Sequence, residues 1–393
     1  MNLHDSPADA AWREQLRAWL EREVPRHGPP PPASANRERR EYDTRWQRKL
    51  FDAGYAGLGW PKAFGGAEAR LAQQLIYYEE TARANAPYIG ANFIGIMHGG
   101  PTLIAEGSDA HKAFHLPAIL RGDHVWCQGF SEPGAGSDLA ALRTRAVREG
   151  DDYVVTGHKI WSTRAHIADY CELLVRTDPD APKHKGISWL ILPMDQPGVE
   201  VRPIDTLEGE SHFCEVFLDG ARVPVANRVG AENDGWRVAN VTLRFERGTS
   251  FAQHVITLRT QLHRLVALAR DRLGRWNDPA LRRRVGLLEA NVEALWRLTQ
   301  MAVSEADRTG VPSLVGSAVK LRYSELYQEI GELGMQLLGR EALSMEDAAD
   351  LPLAELLHDY LWSIQFTISG GTSQVQRDII AERILGLPRE PRR

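Results

Sequence analysis

Two clusters of residues carry the chemistry open to this sequence. In the segment 161–163, Trp-Ser-Thr, an extended strand puts Trp161 and Thr163 on one face, so an indole can wall a flat ring while a hydroxyl bonds its rim. Upstream, Gln128, Phe130 and Ser131 run into the Pro133 turn, where strand-end N–H and C=O groups can meet a polar ligand edge. The plain alternatives are a Trp buried on a sheet and a simple Gly-Pro loop. The second cluster is Glu246-Arg247. Three, four and seven positions from Glu246 on a helix lie Ala239, Thr242, Leu243, Thr249, Ser250 and Gln253, mostly small or polar, leaving room for a ligand beside a carboxylate able to take a proton. Trp236, Val241, Phe245, Phe251 and Val255 supply bulk elsewhere on that helix. The competing reading makes Glu246 one of the chain's 52 acids, paired with an arginine on a solvated face.

Other patterns exclude chemistry. His111 and His115 stand four apart on an expected helix but lack a third metal ligand nearby, so a solvated helix face is expected. GAGSDL lacks the third glycine and the βαβ surroundings of a dinucleotide fingerprint, which disfavours nicotinamide chemistry. No Gly-x-Ser-x-Gly elbow or phosphate-cradling P-loop is present.

The elements that must position these residues fall into three stretches. Residues 1–122 carry helical periodicity in AAWREQLRAWLEREV, DTRWQRKLFDAG and EARLAQQLIYYEETARA, interrupted by a proline run that reads as a surface loop. Residues 123–228 change to short Val/Ile/Leu/Tyr runs, DYVVTG, CELLVRT, GISWLILPM and CEVFLDG, with a hairpin turn at GDD. Residues 229–393 return to long helical patterns of bundle length. The expected fold is therefore α+β: an N-terminal helical domain, a small middle β-barrel or sandwich, and a C-terminal four-helix bundle. A length of 393 residues with 43% hydrophobic and 25% charged composition suits such a core, and a formal net charge of −5 gives no general attraction to nucleic acid or anionic membranes. Three scattered cysteines argue against a disulfide framework and for a reducing, cytoplasmic setting. The first residues resemble neither a signal nor a transit peptide, and no apolar run is long enough for membrane insertion.

The stretch QGFSEPGAGSDLAALRTRAVREGDDYVVTGHKIWSTRAHIADY resembles the signature segment of the acyl-CoA dehydrogenase family, in residues and in spacing. GWPKAFGG, VPVANRVGAENDGW and GGTSQVQRDIIAERILGLPRE extend the resemblance over nearly the whole chain. It implies the three-domain fold of that family, with FAD between the β domain and the bundle. A flavin ring is planar, apolar on its faces and polar along one edge, which suits Trp161, Thr163, Gln128, Phe130 and Ser131. By the same resemblance Ser137 lies near the flavin phosphates and the bound thioester. In many members a glutamate precedes Gly-Thr-Ser near the C-terminus; here Gly370 stands there. A second branch carries the glutamate directly before an arginine on the first long bundle helix, matching Glu246 as base and Arg247 as a residue ordering the acyl-CoA or the helix. The resemblance also implies thioester-oxygen stabilisation by a backbone N–H around Gly370, and reoxidation by an electron-transfer flavoprotein.

The family's Arg-x-Gln-Phe-Gly segment, which clamps FAD across a subunit interface, is replaced here by RDRLG at 270–274. Arg270, Gln336, Thr372 and Gln374 match positions that reach a neighbour's FAD. Homotetramer and heterotetramer with a related chain both fit, the latter as in members acting in bacterial steroid and dicarboxylate catabolism. Two other functions compete: a flavin monooxygenase or oxidase on the same fold, and a non-catalytic subunit.

Overall fold

Short-range chemistry sets several element ends. Ser108 opens one helix through a reciprocal pair of bonds, its Oγ accepting from His111 N at 3.2 Å and its own N–H donating to His111 Nδ1 at 3.3 Å, and the left-handed Gly122 (φ 75°) closes it. The computed structural model describes residues 5–32, 34–246, 250–309, 313–344 and 351–389, without the side chains of 244–251. Among the described residues the order is α1 (Pro7–His27), α2 (Asn36–Asp52), α3 (Leu71–Arg83), α4 (Gly100–Glu106), α5 (Asp109–Arg121), β1 (Trp126–Gly129), β2 (Arg145–Glu149), β3 (Asp152–Thr163), β4 (Tyr170–Arg176), β5 (Ile187–Pro193), β6 (Val199–Ile204), β7 (Phe213–Pro224), β8 (Arg228–Val229), α6 (Gly235–Glu246), α7 (Ser250–Ala267), α8 (Pro279–Thr309), α9 (Gly316–Leu338), α10 (Leu353–Gln365) and α11 (Ser373–Ile379). Helices, then a β sheet, then helices is the α+β class expected from the pattern. No described helix is long and apolar enough to cross a membrane.

Contacts divide the chain into two compact units: Trp19–Arg70 with Asn85–Glu246, and Met1–Ala18 with Leu71–Ala84 and Arg247–Arg393. The first holds the sheet, ordered β6-β7-β3-β2-β4-β5-β8, with β1 parallel to β4. Glu149 pairs with Asp152 across the hairpin signalled by GDD. Residues 171–175 of β4 are buried without alternation, the mark of a strand covered on both faces. Tyr153, Val155, Leu173, Leu190, Leu192, Val216 and Leu218 form the core, each large apolar side chain contributing about 1.5–3 kcal/mol. Gly235 is required where α6 meets β5, because a Cβ there would lie 2.5 Å from the Ser188 backbone. Buried hydroxyls of Thr102 and Thr242, 2.8 Å apart, tie α4 to α6.

The solvated face expected for His111 and His115 is corrected, since both are buried. His111 Nε2 lies 2.6 Å from the Ala226 carbonyl, and His115 packs among His124, Trp126 and Tyr170. Burial, then the neighbouring His124 and His111, push His115 down to about 3, so a neutral ring does the packing.

In the second unit α7 packs on α8 and α9, α9 also contacts α8, α10 and α11, and α3 lies against α7 and α8. Glu80 on α3 is 2% exposed and accepts from Arg13, Arg17 and Arg83. Burial opposes its charge, but the three guanidiniums win and hold the carboxyl at about 2.

Candidate functional site

In the sheet unit, the candidate site starts from a charge inside a strand. Lys159 on β3 is fully buried, and its Nζ donates to Glu132 Oε1 at 2.8 Å and to the Phe130 carbonyl at 3.1 Å. Glu132 also accepts from the N–H groups of Arg143 (2.7 Å) and Thr144 (2.8 Å). Burial works against both charges; the Glu132 carboxyl is nevertheless held below its ordinary range by Lys159 and these N–H groups, while burial leaves Lys159 below its own. The Ile160 N–H then bonds the Ser131 carbonyl at 3.0 Å, so the Ser131-Glu132-Pro133 turn and the end of β3 are one clamped piece.

Immediately after the clamp, the pairing of β3 with β7 slips between Lys159 and Ser162. Trp161 sits in that bulge at φ 62°, 56% exposed as a residue, with its ring edge-on to Phe213 at 6.0 Å. A left-handed backbone on a bulky residue costs roughly 1–3 kcal/mol and persists where its surroundings enforce it. Ser162 is fully buried while Thr163 is half-buried, so Trp161 and Thr163 are open where Ser162 is not. Arg164 is left-handed too (φ 53°); its N–H bonds the His212 carbonyl at 2.8 Å and its guanidinium lies 3.7 Å from buried Asp43.

The structure therefore brings Gln128, Phe130, Ser131, Trp161 and Thr163 onto adjoining strand ends. Phe130 is 3% exposed, so its ring belongs to the core. Gln128 pairs in register with buried Glu172, donating to its Oε1 at 2.8 Å, with His98 Nδ1 3.3 Å away on a π-turn at Gly95–Gly99. Ser137 is exposed, next to an Asp138–Lys183 ion pair of 2.5 Å. A flavin fits these residues: an uncovered indole for a ring face, with half-buried Ser131 and Thr163 hydroxyls at the rim.

In the bundle unit, Gly370 and Gly371 are both left-handed (φ 62° and 87°), a conformation that suits glycine. Gln376, 1% exposed, donates to the Gly370 carbonyl at 2.8 Å, and buried Lys320 donates to the Gly371 carbonyl at 2.6 Å. Thr372 caps α11, its hydroxyl accepting from Val375 N at 3.2 Å, and Gln374 is exposed in the first turn. Arg270 is exposed and paired with Asp271 at 2.7 Å, while the exposed Gln336 accepts from Arg284. Glu246 ends α6, but its side chain, and all of Arg247, lie outside the described residues.

Residue types and spacing assign no task to Glu132, Lys159, Glu172 or Gln376, although all four lie in recognisable motifs, nor to His98 or Lys320. For Lys159 and Glu172 a signal existed: a charge inside an otherwise strand-like run must be paired if buried.

Comparison with known proteins follows the same three segments. The acyl-CoA dehydrogenase N-terminal domain family matches residues 6–123, the middle domain family 127–221 and the C-terminal domain family 233–385. Acyl-CoA dehydrogenase IpdE1 of Mycobacterium tuberculosis is 40% identical over 387 residues, covering 96% of this chain and 98% of the relative. Among solved structures, the Tcur3481-Tcur3483 steroid ACAD superposes with a TM-score of 0.85 at 33% identity, covering 99% of this chain and 100% of that one. The ChsE4-ChsE5 complex from Mycobacterium tuberculosis gives 0.84 at 34% identity, with coverage of 99% and 100%.

Proposed function

The chain belongs to the acyl-CoA dehydrogenase family of flavin-dependent oxidoreductases, and from that premise we propose that it binds FAD and converts an acyl-CoA thioester to its enoyl-CoA. The observation that carries this reading is Trp161: an exposed indole at φ 62°, in a bulge that directly follows the buried Lys159–Glu132 pair. Strain and an uncovered aromatic face do nothing for the fold alone, and both suit a flat ligand ring. When bound, the flavin supplies the two-electron acceptor for the substrate β-hydride.

The chain's own residues do the rest. Glu246 takes the α-proton, since Gly370 has no side chain to do so. Arg247 orders the acyl-CoA or the helix that carries the base. Ser137 reaches the thioester and flavin phosphates, the backbone from Gln128 through Phe130 to Ser131 and the Ser131 and Thr163 hydroxyls meet the ring edge, and a backbone N–H around Gly370 donates to the thioester oxygen. Electrons leave to an electron-transfer flavoprotein. The steroid-type relatives favour a bulky ring-bearing acyl group.

The test is anaerobic addition of a panel of acyl-CoA thioesters, including steroid side-chain thioesters, to the FAD-loaded protein. Bleaching of the flavin without oxygen supports dehydrogenation, whereas oxygen consumption without anaerobic bleaching favours an oxidase or monooxygenase. Glu246→Gln should keep FAD and lose bleaching by about a hundredfold or more; unchanged reduction removes Glu246 as the base. A heterotetramer with a related chain is favoured over the homotetramer by the RDRLG segment at 270–274, which lacks the Gln and Phe of the family's FAD clamp, and by the likeness to the ChsE4-ChsE5 complex. Full FAD occupancy and turnover of the chain purified alone would remove the heteromer.

A further inference from the structure

We propose that Lys320 and Gln376 are positioning residues that aim the backbone N–H groups of the Gly370–Thr372 loop at the substrate thioester oxygen. The inference rests on the functional reading above and goes beyond it in assigning how the donor loop is held. A trans peptide is planar, so each carbonyl points opposite to the N–H of the next residue. Gln376 fixes the Gly370 carbonyl (2.8 Å), which aims the Gly371 N–H away from α11. Lys320 fixes the Gly371 carbonyl (2.6 Å), which aims the Thr372 N–H away from α9.

Three further observations point the same way. Among the described residues, the N–H groups of Gly370, Gly371 and Thr372 have no backbone acceptor, although Ser373 N bonds the Thr367 carbonyl at 2.9 Å and Gln376 N the Thr372 carbonyl at 2.9 Å on either side of them. Both anchors are at least 97% buried, so water does not compete for their bonds. Adjacent backbone N–H groups left without backbone acceptors are donors for an oxygen that gains negative charge. Donors held before the reaction need no reorganisation when that charge develops.

The test uses the flavin-loaded full chain and acetoacetyl-CoA, a short thioester whose ionised, enolate form is read by absorbance against pH. Wild-type protein should ionise the bound thioester more readily than water does. Lys320→Met and Gln376→Leu should each raise the pH needed, by about one unit, and lower kcat about tenfold with KM changed less than about threefold. Lys320→Arg, which keeps a donor, should recover most of the loss. Circular dichroism identifies a variant that fails to fold, and the two anchors lie on different helices, so either one alone carries the test. Folded variants that ionise the thioester as wild type does would overturn the inference and leave the functional reading standing. Where acetoacetyl-CoA does not bind in equilibrium dialysis, the 3-oxo thioester of the acyl group that bleaches the flavin replaces it; a wild-type protein that binds the 3-oxo thioester without ionising it would overturn the functional reading, and the inference with it.

Discussion

Two buried lysines, one in each compact unit, each hold a loop that carries candidate residues, and they do so by different means. Lys159 meets a carboxylate, Glu132, itself saturated by two backbone N–H groups, and together they lock strand ends. Lys320 reaches a backbone carbonyl at the head of a short helix and locks a pair of left-handed glycines. An ion pair between buried charges is stable only as a pair, because each partner alone bears the full penalty of leaving water. A lysine on a carbonyl fixes direction instead, with a smaller share in stability. The first device therefore bears on folding and the second on aim.

That contrast can be broken. Lys159→Met leaves the Glu132 carboxylate buried beside only its N–H donors, and should destabilise the protein by about 3–5 kcal/mol in urea unfolding. Adding Glu132→Gln to it should recover part of the loss, and full additivity of the two single effects would show that the pair does not act as a unit. Lys320→Met should lower stability by only about 1–2 kcal/mol; a loss equal to that of Lys159→Met would erase the distinction.

Smaller effects sharpen it. Gly370→Ala meets nothing closer than Lys320 Cε at 3.9 Å, so its cost is purely conformational, about 1 kcal/mol from the left-handed backbone. Trp161→Gly runs the other way: relief of strain at φ 62° should raise the melting temperature slightly, by about 1 kcal/mol equivalent, while weakening flavin binding measured by fluorescence titration. Acid should affect the anchors of both units. Glu132 and Glu80 have carboxyls held below their unfolded values, so their stabilisation is complete above the ordinary carboxylate range and is lost as pH falls through it, for Glu80 between about 4.5 and about 2. Glu80→Gln should therefore flatten the melting-temperature profile in that window, and an unchanged slope would show that the arginine cluster contributes nothing there.

Periodicity made the element order readable. DYVVTG and CELLVRT are strands because β-branched residues suit a pleated surface, and the bundle stretches are helices because their apolar residues recur every three to four positions. Burial was less readable at His111 and His115, since a helix face reports polarity and not what packs against it; a carbonyl from 115 residues away receives His111. The site was legible as a set of residue types at fixed spacings, Trp161 with Thr163 and Ser131 before Pro133, but not as a geometry.

Composition and pattern alone determined the α+β order of helices, sheet and helices, and the loss of any side chain at Gly370. Only the tertiary structure decided that Lys159 finds Glu132 twenty-seven residues away, that β3 slips against β7 and turns Trp161 outward, and that Lys320 reaches Gly371 from fifty-one residues upstream. The reason is physical. Local preference is set by neighbours along the chain, whereas the burial of a charge, the register of a strand and the direction of an N–H are set by whichever distant segment packs against them.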